Sequence, residues 1–111
     1  MKEADVVLTL IPQAYGIIKN RLAIILRETS RYKDFLVCGV GTQLVKEVKA
    51  FDDIISSSDP DFSSNGLRSA SLIRLGFLAV LPSSRIIGSI GSISSARHKK
   101  LPKTLSDYLV K

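Results

Sequence analysis

The chain has no tryptophan and only one methionine, one cysteine and one histidine among its 111 residues. These scarcities close whole classes of function. A lone cysteine, Cys38, excludes an internal disulfide and a thiolate metal cluster, and makes a reduced, cytoplasmic setting the default. The lone histidine, His98, stands in "RHKK", where neighbouring positive charges oppose a bound cation. Asp52, Asp53, Asp59 and Asp61 lack the glycine and distal glutamate of a calcium loop, and no serine sits in Gly-x-Ser-x-Gly. The sequence therefore implies no metal and no cofactor. A membrane span needs roughly 18 uncharged apolar residues, and the most apolar run, "LIRLGFLAVL", carries Arg74 at its centre. Lys2, Glu3 and Asp5 precede any apolar run, which is not the pattern of a signal peptide.

Acidic residues are also in short supply: 10 Asp and Glu face 16 Lys and Arg, a net charge of +6. The imbalance is local. Residues 19–33 carry Lys19, Arg21, Arg27, Arg31 and Lys33 against Glu28 alone. Residues 52–61 carry four aspartates and no base, and beyond them Asp107 is the only acid. An acidic loop between basic segments suits a protein that binds an anion on one face. The basic tail residues Arg97, Lys99 and Lys100 read as a solvated helix face. A hydrophobic fraction of 45% is ample for one modest core, so residues 1–111 are expected to form a single domain.

What is present is strand-like. "DVVLTLI" (5–11), "RLAIILR" (21–27) and "DFLVCGV" (34–40) are β-branched and aliphatic almost throughout, as buried strands are. The connection "PQAYGIIKN" is about nine residues, longer than a tight hairpin. Residues 44–51 are ambiguous, with Leu44, Val45, Val48 and Phe51 at helical spacing on a segment that also suits an extended edge. "SLIRLGFLAVL" (71–81) returns to strand character, with Leu72, Arg74 and Gly76 on one face and Ile73, Leu75 and Phe77 on the other. Gly88 and Gly91 in "RIIGSIGSIS" mark a bulge, a corner or a close backbone approach. Ser94 or Ser95 caps a terminal helix with a narrow stripe of Leu101, Leu105, Tyr108 and Leu109, and Pro102 predicts a break in it. Short strands, glycine corners and one terminal helix predict a mainly β fold with a small, strongly bent sheet or barrel.

The glycine stretch "VCGVGTQL" (37–44) supplies only two glycines of a dinucleotide loop, with Leu44 at the place of the third. A nucleotide-binding module would require residues 44–51 to be helical. The remaining chemistry is that of arginine and hydroxyl groups on phosphate. Arg21 opens the second strand and Thr42 ends the third.

The series "DVVLTLIP … KNRLAIIL … FLVCGVGTQ … SLIRLGFLAVL … IIGSIGSIS" resembles the PemK/MazF-type toxins of bacterial toxin–antitoxin modules in order and spacing over nearly the whole chain. The resemblance implies an SH3-like, strongly bent β-barrel with a C-terminal helix, homodimeric and cytoplasmic. It implies a metal-independent endoribonuclease that cuts single-stranded RNA and is blocked by a small acidic antitoxin protein. Arg21 matches the family's catalytic arginine, with Leu22 in place of the usual proline, and Asp5 matches a structural first-strand aspartate. Gly41 falls where the family has its catalytic threonine, and Thr42 stands one residue later. Neighbouring strand residues face opposite ways, so Thr42 reaches the site if Gly41 permits a bulge. Lys19, Gln43, Ser69 and Ser71 are the expected RNA-binding residues. The alternative is a toxin-fold protein without catalysis that acts by binding an antitoxin, RNA or a target such as DNA gyrase.

Overall fold

The computed structural model describes residues 1–12, 16, 18–29 and 31–111, with the backbone alone at 11, 12, 18 and 19. The strands are β1 (Asp5–Pro12), β2 (Ile18–Glu28), β3 (Phe35–Gly41), β4 (Asp53–Ile55), β5 (Ser71–Leu81) and β6 (Ile86–Ser92). They form one antiparallel six-stranded sheet in the order β4-β5-β3-β2-β1-β6, and helix α1 (Ser95–Leu109) follows it. This is the mainly β, bent architecture with a C-terminal helix that the strand pattern predicts. Its edges, β4 and β6, do not pair with each other, so the sheet is bent but open.

The central strands read as continuous apolar runs because both faces of the sheet are covered. On one face Val6, Ile24, Leu26, Cys38, Ile73 and Leu75 pack under Leu101 of α1. On the other, Val7, Ala23, Ile25, Val37, Leu81 and Ile86 form a second cluster enclosed by the curl of the sheet. Cys38 is wholly buried, which pushes its thiol up to about 12, so it is an inert apolar filler.

The curl comes from β5. Gly39 pairs with Arg74, yet the preceding Cys38 pairs with Leu78, leaving Leu75, Gly76 and Phe77 as a bulge. The bulge resets the alternation along the strand. Ile73 and Leu75 enter the first cluster, whereas Phe77 packs against the second, the side that strict alternation denies it. Of the two glycines in β6, only Gly91 marks a close approach: a Cβ there would lie 2.4 Å from the carbonyl carbon of Asn65. The Ser92 amide donates to the Ser64 carbonyl at 2.9 Å across that contact.

Five expectations need correction. The β1–β2 ladder continues to Pro12 and Ile18, so the connection is shorter than nine residues, and Arg21 lies inside β2 opposite Thr9 instead of opening the strand. Residues 44–51 form neither a helix nor a strand: a single 3-10 turn at Leu44–Lys46 leads through further turns to edge strand β4. Val45 is 94% exposed, so the helical spacing there had no core to face. Helix α1 runs unbroken through Pro102. Tertiary anchors on both sides offset the lost hydrogen bond: Leu101 is buried, and the Tyr108 ring stacks on Phe51 with centroids 4.3 Å apart.

The fifth correction concerns Arg97, which is no solvated residue. Its guanidinium meets Asp53 at 2.6 Å, Asp59 at 2.9 Å and Asp61 at 3.0 Å, with only 13% of the side chain exposed. Lys100 adds a contact to Asp53 at 3.1 Å. The acidic loop is thus folded onto α1 and neutralised there. Arg97 holds the Asp61 carboxyl below its ordinary range through their hydrogen bond. Burial works against the charge on Arg97, and its bonds to Asp61 and Asp53 outweigh that penalty.

Candidate functional site

Strands β2, β3 and β5 lie side by side, and their register sets one face of a cleft. Ala23 opposes Gly39, which opposes Arg74, and Gly41 opposes Leu72. Arg21 is two residues from Ala23 and Gly41 two from Gly39, so Arg21, Gly39, Gly41 and Arg74 share a face. Two arginines on the outer strands therefore flank a middle strand that contributes only glycines. A Cβ at Gly41 would meet nothing within 4 Å, so this position is an open trough. Gly39 is different. A Cβ there would lie 3.0 Å from the Phe77 ring, which the bulge of β5 lays over it.

The resulting cleft has a volume of about 460 Å³ and includes Asn20, Thr42, Gln43, Lys46 and Ser71 in its walls. Arg21, Thr42, Gln43, Lys46 and Arg74 are all exposed. Among the described residues no carboxylate lines the cleft, and none pairs with Arg21, Lys46 or Arg74. The charge of these side chains is left for a ligand, and the fork of each arginine suits a phosphate.

The backbone at Arg21 is held from beneath. The Thr9 hydroxyl, fully buried, donates to the Arg21 carbonyl at 2.9 Å. At the other wall no bulge forms at Gly41. The strand ends there and the chain turns, with the Leu44 amide donating to the Thr42 carbonyl at 3.0 Å and the Lys46 amide to the Gln43 carbonyl at 3.0 Å. This turn brings Thr42, Gln43 and Lys46 to the cleft by a route other than the expected one. Asp5 is buried and accepts from the Lys2 amide and ammonium at 3.1 and 3.0 Å, a local clamp away from the cleft.

Of the sequence-derived candidates, Arg21, Thr42, Gln43 and Ser71 line this cleft. The Ser71 hydroxyl is already committed to the Ser69 carbonyl at 2.9 Å, and Ser69 itself does not line the cleft. Lys19 pairs with Ile11 through the backbone, and its side chain lies outside the described residues. Sequence reasoning missed Arg74, Lys46, Asn20 and Phe77. Arg74 had a legible signal: a charge in the middle of the most apolar strand must find a way to solvent. Phe77 had none, because its orientation depends on the bulge.

No helix among the described residues is long and apolar enough to cross a membrane. No protein-family model and no curated protein sequence matches the chain. A solved structure does: the Mycobacterium tuberculosis toxin MazF-mt6 superposes with a TM-score of 0.66 over 93% of this chain and 95% of its own, at 16% sequence identity. At that identity the likeness is one of fold, and the fold is that of a MazF toxin.

Proposed function

We propose that the chain is the toxin of a toxin–antitoxin pair, a metal-independent endoribonuclease that cleaves single-stranded RNA in the cleft between β2, β3 and β5. The observation that carries this reading is the trough at Gly41, flanked by arginines that no described carboxylate neutralises. The fold likeness to a MazF toxin supports it. In this reading the phosphodiester lies across Gly41. The ribose 2′-oxygen attacks the adjacent phosphorus as its proton passes to solvent. The bond to the 5′-oxygen breaks and that oxygen takes up a proton, leaving a cyclic phosphate and a 5′-hydroxyl. Arg21 and Arg74 stabilise the additional charge on the phosphorane oxygens, and the Thr42 hydroxyl holds a non-bridging oxygen. Lys46 and Gln43 receive the neighbouring nucleotide at the lip. The protein acts as a cytoplasmic homodimer, and an acidic antitoxin segment competes for the same cations.

The test is incubation of a long unstructured RNA in EDTA with wild type, Arg21→Ala and Thr42→Ala. Cleavage by wild type that both substitutions strongly reduce is the expected result. No cleavage by the folded wild-type protein overturns the nuclease reading. One observation favours a second reading, a binder without catalysis: the vacant space at Gly41 is where the resembled family carries its threonine. A Gly41→Thr variant separates the two, because it creates activity in an inert wild type but only modulates activity in a competent one.

A further inference from the structure

The placement of Phe77 is not explained by phosphate chemistry. A phenylalanine in β5 with the parity of Ile73 and Leu75 belongs with the first cluster, and the three-residue bulge instead turns it to the opposite face, where it packs against the second cluster and also lines the cleft. It is partly buried, unlike Leu72, Ile73 and Leu75 earlier in the strand, which are fully buried. Its ring rests on Gly39, where a Cβ would come within 3.0 Å of Cδ1 and 3.2 Å of Cγ. The glycine is thus the seat of the ring. Around it the cleft supplies cations from Arg21, Arg74 and Lys46, and amide donors and acceptors from Asn20 and Gln43. An aromatic ring beside a basic track is how proteins hold single-stranded nucleic acid, since every base has a face to stack and every nucleotide a phosphate to pair.

We infer that Phe77 is a base-stacking residue: the nucleobase next to the phosphate held over Gly41 lies on the Phe77 ring, with Gly39 setting the height of that ring. This inference rests on the proposed RNA-binding role of the cleft and extends it from the sugar–phosphate chain to the base. It also assigns Asn20 and Gln43 the edge of the stacked base. The affinity of the cleft then has two separable parts, one for phosphate and one for a base.

The experiment uses the full chain and a short mixed-sequence single-stranded 2′-fluoro RNA, which lacks the attacking hydroxyl and stays intact. A second oligomer of the same length has abasic residues throughout. Phe77→Leu is expected to weaken binding of the base-bearing oligomer about tenfold and to leave the abasic one unchanged. Arg21→Ala is expected to weaken both. Because the chain contains no tryptophan, Phe77→Trp introduces the single tryptophan, excited selectively beyond the tyrosine band, and its emission is expected to be quenched by the base-bearing oligomer only. That readout is independent of any loss of stability in Phe77→Leu. If wild type and Arg21→Ala differ as expected but Phe77→Leu matches wild type and the tryptophan is not quenched, the stacking inference is overturned and the RNA cleft stands. If wild type binds neither oligomer, both fall.

Discussion

Replacing Arg97 by methionine keeps an unbranched flexible stem and removes the guanidinium on which Asp53, Asp59 and Asp61 converge. Lys100 reaches only Asp53, so two of the three carboxylates lose their described counter-cation. Breaking a buried ion pair costs roughly 3–5 kcal/mol, and the 30% exposure of Asp59 argues for the lower end, about 3 kcal/mol. For a chain of 111 residues the unfolding entropy is about 0.23 kcal/mol/K, so the melting temperature should fall by about 13 °C. The pH dependence is sharper still. Arg97 depresses the Asp61 pKa, so that stabilisation is complete above the unfolded value near 4 and is lost as pH falls through the folded one. In Arg97→Met the bond that depresses Asp61 is gone, so acidification costs the variant less stability than it costs the wild type. Urea unfolding at neutral pH and near pH 3 should therefore show a gap that narrows sharply. A gap below about 1 kcal/mol at neutral pH, the range of an exposed pair, would refute the reasoning, as would a gap that acid leaves unchanged.

Other expectations concern the sheet and its cleft. Arg21→Ala should lower the rate of RNA cleavage by about 10²–10³-fold without changing the melting temperature, the loss typical of one transition-state donor. Thr9→Val should cost about 1 kcal/mol in thermal unfolding, since it deletes the buried hydroxyl beneath Arg21. Gly41→Thr should fold as well as wild type, because a Cβ there meets open space, and should raise cleavage of the same RNA. Gly91→Ala should destabilise by about 3 kcal/mol through its clash with Asn65, whereas Gly88→Ala, with nothing within 4 Å, should be near neutral by the same denaturation assay. Cys38 should resist iodoacetamide at neutral pH until the protein is unfolded, as a mass shift would show.

The strands were legible because burial on both faces writes itself as unbroken runs such as "RLAIILR", and the capping Ser94 marked the start of α1. Arg21 and Thr42 were also visible, as polar residues placed where those runs begin or end. What stayed hidden depended on residues far apart in the chain. Arg97 looked like a surface charge because its partners lie 36 to 44 positions earlier, and no local pattern announces such a triad. Phe77 looked like a neighbour of Ile73 and Leu75 because alternation is a rule within one strand, and the bulge is decided by the pairing of β5 with β3. Pro102 looked like a helix break because propensity knows nothing of Leu101 docking on the sheet. The two glycines of "VCGVGTQL" could be seen but not interpreted: one seats a ring and the other opens a trough.

The arrangement of charge along the chain gives synthesis a direction. The segment through Ser84 includes the cleft strands β2, β3 and β5 and carries ten bases against nine acids. The remainder, β6 and α1 with their flanks, carries six bases against one acid. A nascent chain that has released only the cleft is therefore almost neutral, with its aspartates still bare and the outer edge of β1 still unpaired. The arrival of Arg97 covers those aspartates, and the arrival of β6 covers the edge. The positive excess of the chain thus resides in the part that emerges after the cleft strands.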